Sequence, residues 1–206
     1  YNVAFDTGTL TVSKANLNLI NGVAANKVYD GDVFTTISGD LSVVFYGGDV
    51  ALDSVEGIFA DKNVANGKSV TASMSITGKD AFNYNFIQPV GLTAHIRPRD
   101  LTLGDFTAES KTYDGTTDTG GTFSDNRLGE DELKFSYDVN FDTKNWGVGK
   151  TVNFTNIAIS GGADAGNYNL VTLSGTATAN IARKDLSITL EDNSKTYGDT
   201  DPVYGI

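Results

Sequence analysis

Lys27-Val28-Tyr29-Asp30-Gly31 and Lys111-Thr112-Tyr113-Asp114-Gly115 each set an ammonium, a phenol and a carboxylate on one short segment. That set suits two kinds of chemistry. The tyrosine and aspartate could stack and accept a sugar. Alternatively, the segment is a strand ended by a turn: Asp-Gly supplies the reversal, and Tyr29 or Tyr113 fills core or junction space. Recurrence favours the second, because a residue present in every unit serves the unit. Acids cluster nearby: Asp30, Asp32, Asp40, Asp49 and Asp53, then Asp114, Asp118, Asp125, Glu130, Asp131 and Glu132. Ca²⁺ takes roughly six to eight oxygens, so it is the one cofactor these loops or junctions would suit. No stretch matches an EF-hand loop or a Gly-rich nonapeptide, and most of the acids fail to align between units. They read as solvated loop charges, and no cofactor is expected. Glycoside hydrolysis needs two acids flanking a cleft with separated pKa values; the pairs here differ between units, and no enzyme activity is expected. His95 reads as a polar strand residue facing water. Lys27 or Lys68 could cross-link to an Asn beside an acid with loss of ammonia, but no specific pair is indicated.

The 206 residues contain no cysteine and one each of His, Met and Trp. Disulfides, thiolate metal sites and a cysteine nucleophile are excluded, and a Ser-His-Asp triad or multi-histidine zinc site nearly so. A net charge of −11 argues against nucleic acid and anionic membrane surfaces. No apolar run is long enough to span a bilayer, so no membrane insertion is expected.

The elements that must position these residues repeat. Lys27 to Gly31 returns 84 residues on, and Lys195-Thr196-Tyr197-Gly198-Asp199 starts a third copy at the same offset. Asn83-Tyr84-Asn85 returns as Asn167-Tyr168-Asn169, and Lys62-Asn63 with Gly67-Lys68 returns as Lys144-Asn145 with Gly149-Lys150. The frame predicts the end of a preceding unit over 1–13, whole units over 14–97 and 98–182, and the start of a further unit over 183–206, as in a piece of a longer array.

Glycines and short Val-, Thr-, Ile-, Phe- and Tyr-rich runs predict an all-β chain. In the second unit strands are predicted over 101–103, 111–113, 133–137, 139–141, 151–158, 168–173 and 176–181. The expected fold is a tandem series of immunoglobulin-like antiparallel β-sandwiches, with a β-grasp or other compact β fold left open. Asp80 to Tyr84 and Asp164 to Tyr168 resemble a tyrosine corner, in which the tyrosine bonds upstream backbone. Phe86 and Leu170 then stand where an antibody domain has its second cysteine. Tight joins at Arg97-Pro98-Arg99 predict an elongated rod rising roughly 35–40 Å per unit.

The Lys-x-Tyr-Asp-Gly segments, with Gly149-Lys150-Thr151-Val152 and Ala165-Gly166-Asn167-Tyr168-Asn169, resemble the YDG repeat of large bacterial surface proteins such as filamentous-haemagglutinin-like adhesins. Ser194 to Pro202 resembles the start of an MBG domain. The resemblance implies a secreted or surface-displayed bacterial protein acting in attachment, aggregation or biofilm. The expected role is a structural stalk projecting adhesive regions. The alternative is units that bind glycan or matrix weakly and multivalently, with Tyr46, Tyr137 and Trp146 as candidate contacts. Expected partners are neighbouring repeats and host or matrix glycans or proteins. The signature residues are Tyr29, Asp30, Gly31, Tyr84, Tyr113, Asp114, Gly115 and Tyr168; no ligand-contacting residue is implied.

Overall fold

A computed structural model describes residues 1–4, 7–42, 44, 47–189 and 192–201. Tyr46 and Pro202 lie outside them. The chain is all-β, and one topology occurs twice. The first copy uses β1 (Ala15–Ala24), β2 (Lys27–Val28), β3 (Phe34–Leu41), β4 (Ala51–Phe59), β5 (Ala65–Thr77), β6 (Tyr84–Ile87) and β7 (Leu92–Arg97). The second uses β8 (Arg99–Leu101), β9 (Leu103–Ala108), β10 (Lys111–Thr112), β11 (Gly121–Asp125), β12 (Lys134–Phe141), β13 (Gly147–Gly161), β14 (Tyr168–Leu170) and β15 (Gly175–Ala182). A short 3-10 turn precedes β6 and another precedes β14. No strand is assigned among the described residues of 1–14 or 183–201.

The first copy is a seven-stranded sheet ordered β2-β7-β5-β4-β3-β1-β6. The second keeps that order in three pieces: β10-β15-β13-β12, β11-β9 and β14-β8. Strands β8 and β9 together match β1. The β4–β3 ladder shrinks in the second copy to one bridge, Asp118 with Asn140.

The sequence predicts antiparallel sheets throughout, but some of the strand pairs are parallel. β1 pairs β6, β2 pairs β7, β8 pairs β14 and β10 pairs β15 in parallel. The alternation of inward and outward side chains is the same in either direction, so local pattern cannot tell them apart. β12 merges two predicted strands, and β13 begins at Gly147 rather than Thr151. β11 was not predicted, because Gly121 and the Ser-Asp that ends it read as turn residues.

Each copy has its own core. Ile37, Phe59, Val70, Ala94 and Ile96 fill the first, while Phe141, Val152, Phe154, Ala179 and Ile181 fill the second. The first core does not stop at its own copy: Leu101, Leu133 and Tyr168 of the second belong to it. Apolar packing therefore runs across the boundary between copies.

Candidate functional site

The Lys-x-Tyr-Asp-Gly segments are turns whose lysine folds back over them. Lys111 Nζ donates to Asp114 Oδ1 at 2.9 Å, to the Thr116 carbonyl at 3.1 Å and to the Asp118 carbonyl at 2.7 Å. Lys27 reaches Asp30, Asp32 and the Phe34 carbonyl in the same way. Asp114 Oδ1 also accepts the Thr116 N–H at 2.9 Å. That bond, followed by the Lys111 ammonium, lowers the Asp114 pKa to about 2. Gly31 and Gly115 close the turns at φ 87° and 86°, where a side chain would be strained. In the third copy of the motif, Lys195 pairs with Asp201 and Tyr197 is exposed.

The tyrosine between lysine and aspartate points away from its turn. Tyr29 is 1 % exposed, and its hydroxyl donates to Asp131 Oδ2 of the second copy at 2.9 Å. Tyr168 donates to the same oxygen at 2.6 Å and accepts the Leu128 N–H at 2.8 Å. This is not the bond of a tyrosine corner, since Leu128 lies 40 residues upstream. The two tyrosine rings meet edge to face with centroids 5.5 Å apart. Lys62 Nζ approaches Asp131 Oδ1 at 2.9 Å and Asp164 Oδ1 at 3.1 Å. Asn167, also buried, accepts the Val64 N–H at 2.9 Å and donates to Asn63 Oδ1 at 3.1 Å.

One end of the first copy (Tyr29, Lys62, Asn63, Val64) is thus bound to one end of the second (Leu128, Asp131, Asp164, Asn167, Tyr168). Arg127 braces the loop that carries Asp131. Its side chain pairs with Asp125 and reaches the Asp131 and Leu133 carbonyls at 3.4 Å.

Burial acts to raise the pKa of Asp131, but hydrogen bonds from Lys62, Tyr168 and Tyr29 more than offset it and hold the carboxyl below the ordinary range. The Asp131 bond holds the Lys62 ammonium above its ordinary value. Burial, and then Asp131, push Tyr168 up to about 12. At neutral pH the joint therefore holds a carboxylate, an ammonium and two neutral phenols. The arrangement ties one copy to the other through two hydroxyl donors and an ion pair on one carboxylate.

The other predicted residues are dispersed. Tyr84 is buried at the opposite end of the first copy, opposite Ala15 in the β1–β6 ladder. Tyr113 is 36 % exposed at the far end of the second. His95 Nδ1 accepts the Gly67 N–H at 3.0 Å, as Asn180 Oδ1 accepts the Gly149 N–H in the second copy. Tyr137 packs against Phe123 and donates to the Gly121 carbonyl. Among the described residues, no three His, Asp or Glu side chains are grouped as a metal ion would need. Among the described residues no helix is long and apolar enough to cross a membrane.

Sequence reasoning placed Asp131 among the solvated acids and missed the joint. The signal was present in Lys62-Asn63 and Asn167-Tyr168, polar pairs whose recurrence the turn reading alone did not use.

The YDG domain family model matches residues 13–91 and again 97–179, each match covering one copy of the topology. No curated protein and no solved structure matches the chain. The chain belongs to the YDG domain family.

Proposed function

We propose that this YDG chain is a run of spacer repeats in a bacterial surface or secreted adhesin. Its copies, read as immunoglobulin-like sandwiches, hold the adhesive regions of that protein away from the cell for attachment, aggregation or biofilm. The role is mechanical, without catalysis or a cofactor. The observation that carries the reading is the joint, where Tyr29 and Tyr168 of successive copies share the buried Asp131 carboxylate. A spacer needs its copies held in one orientation. Shared apolar packing with a satisfied polar centre provides that, whereas a Gly/Ser tether would not. The acidic surface keeps a long array solvated. Small-angle scattering of the purified chain tests the reading. An elongated profile is expected, and a compact globule would overturn it.

A second reading has one observation in its favour. Trp146 is 57 % exposed beside the Arg183 guanidinium, and an exposed indole with a neighbouring donor suits a sugar. Glycan and matrix-protein arrays, probed with calcium and with a chelator, test it. Saturable binding lost on Trp146→Ala would support direct adhesion by the repeats. Silence in both buffers would remove it.

A further inference from the structure

The end of the second copy that corresponds to the Tyr29 end of the first is open. Tyr113 stands where Tyr29 stands, and its N–H donates to the Ala182 carbonyl at 2.9 Å as Tyr29 does to Arg97. Lys144 and Asn145 stand where Lys62 and Asn63 stand, and both are exposed. Trp146 takes the place of Val64, with the Arg183 guanidinium 4.0 Å over its ring. Tyr113, Asn145, Trp146, Arg183 and Lys184 line a groove of about 350 Å³. Lys144 makes no ion pair among the described residues. The residues that grip Asp131 at the first joint are therefore present a second time without a carboxylate.

We propose that this open face is a seat for the end of another YDG repeat, one with a carboxylate at the position of Asp131. The inference rests on the serial-spacer reading and adds what the face selects. The Tyr113 hydroxyl and the Lys144 ammonium would take the incoming carboxylate, and Asn145 the incoming asparagine, as Tyr29, Lys62 and Asn63 do at the first joint. Lys144, Arg183 and Lys184 give the face a positive rim that suits an acidic loop. Trp146 would be covered as Val64 is.

Not every YDG end fits. In the first copy the loop of Asp131 is matched by the loop of Gly48. The pairing is fixed by Asp80, which accepts the Asp49 N–H at 2.8 Å as Asp164 accepts that of Glu132 at 3.0 Å. So Gly48 stands where Asp131 stands, and Phe82, 70 % exposed, stands where Gly166 does. Docking on that end would bury Tyr113 and Lys144 without an acceptor, which is unfavourable. The face discriminates between repeat ends by one carboxylate.

Trp146 is the chain's only tryptophan, so its emission reports the face directly. A lengthened chain carries an extra copy of residues 100–184 between Lys184 and Asp185, which leaves Arg183 and Lys184 on the face, with the tryptophan of the added copy changed to Phe. Its Trp146 should emit further to the blue and lose most of its acrylamide quenching. Asp131→Asn in the added copy should restore quenching while the thermal melt still shows a folded chain. Inserting residues 16–97 at the same place, with Gly48 at the incoming end, should leave Trp146 open. Unchanged quenching in the first lengthened chain, or equal protection by the Gly48 end, would overturn the proposal. Scattering from the same lengthened chain separates the two readings. An extended particle with an open Trp146 sinks the seat and spares the spacer, while a compact particle sinks the spacer.

Discussion

Tyr29 and Tyr168 stand 139 residues apart in sequence (Tyr29 to Tyr168), yet both hydroxyls donate to Oδ2 of Asp131, at 2.9 and 2.6 Å. One tyrosine comes from each copy, and Lys62 completes the cluster on the other carboxylate oxygen at 2.9 Å. A buried carboxylate is costly unless it is paired and hydrogen-bonded. Here three donors satisfy it only when the two copies are together. The polar centre thereby fixes how the copies meet, beside apolar packing in which Leu101 and Leu133 join the first core.

Removing one donor should weaken the joint without dissolving it. Tyr29→Phe leaves Asp131 its bonds to Tyr168 and Lys62 and should cost about 1.5 kcal/mol. The matched change Tyr113→Phe, at a half-open ring, should stay within about 0.5 kcal/mol. Urea unfolding of both variants gives the comparison. Equal effects would mean that the hydroxyl of Tyr29 does nothing the hydroxyl of Tyr113 does not.

Lys62 and Asp131 should couple. Asp131→Ala should cost about 2–3 kcal/mol, at or below the lower end for a broken buried pair, because Lys62 is 37 % exposed and keeps Asp164. A double-mutant cycle with Lys62→Met should return about 1–2 kcal/mol of interaction. Calorimetry adds a qualitative sign: one transition for the parent chain, two for Asp131→Ala, as the copies begin to melt separately.

The joint should have both an acid and an alkaline limit. The folded pKa of Asp131 lies below its ordinary 3.8, so its contribution is present above that value and lost as pH falls through the folded one. Tyr168 is raised from 10.0 to about 12, and Lys62 is held above its ordinary 10.5. Their contributions are complete below the ordinary values and lost as pH rises through the folded ones. Stability should therefore be flat between about pH 4 and 10 and fall on both sides. Melting temperature against pH reads this, and Asp131→Asn should blunt the acid limb more than the alkaline one.

A backbone prediction concerns Gly162, at φ 112°. A Cβ there would stand 2.1 Å from the Glu132 carbonyl oxygen, on the neighbour of Asp131. Gly162→Ala should destabilise by more than about 1 kcal/mol. The same substitution at Gly166, where a Cβ meets nothing within 4 Å, should be mild. Paired melts of the two variants decide it.

Much of the architecture was legible because repetition is a sequence property. The Lys-x-Tyr-Asp-Gly turns announce themselves through Asp-Gly, and the period gives the two copies. Parallel pairs such as β2 with β7 were not legible, since Lys27 meets Ile96 through a long-range crossing that no local pattern encodes. Asp131 was hidden for a different reason. Its counterpart in the first copy is Gly48, so repeat comparison scored it as a loop acid that happens not to recur. Its burial comes only from the neighbouring copy.

The central claim is that the joint holds the two copies in one orientation. The chain has no cysteine, so Thr71→Cys on β5 and Thr155→Cys on β13, both at exposed positions, give a unique pair of spin labels spanning it. Pulsed electron-electron resonance should return a single narrow distance distribution, broadened by Asp131→Ala. A broad or multi-peaked distribution in the otherwise unaltered chain would contradict the account.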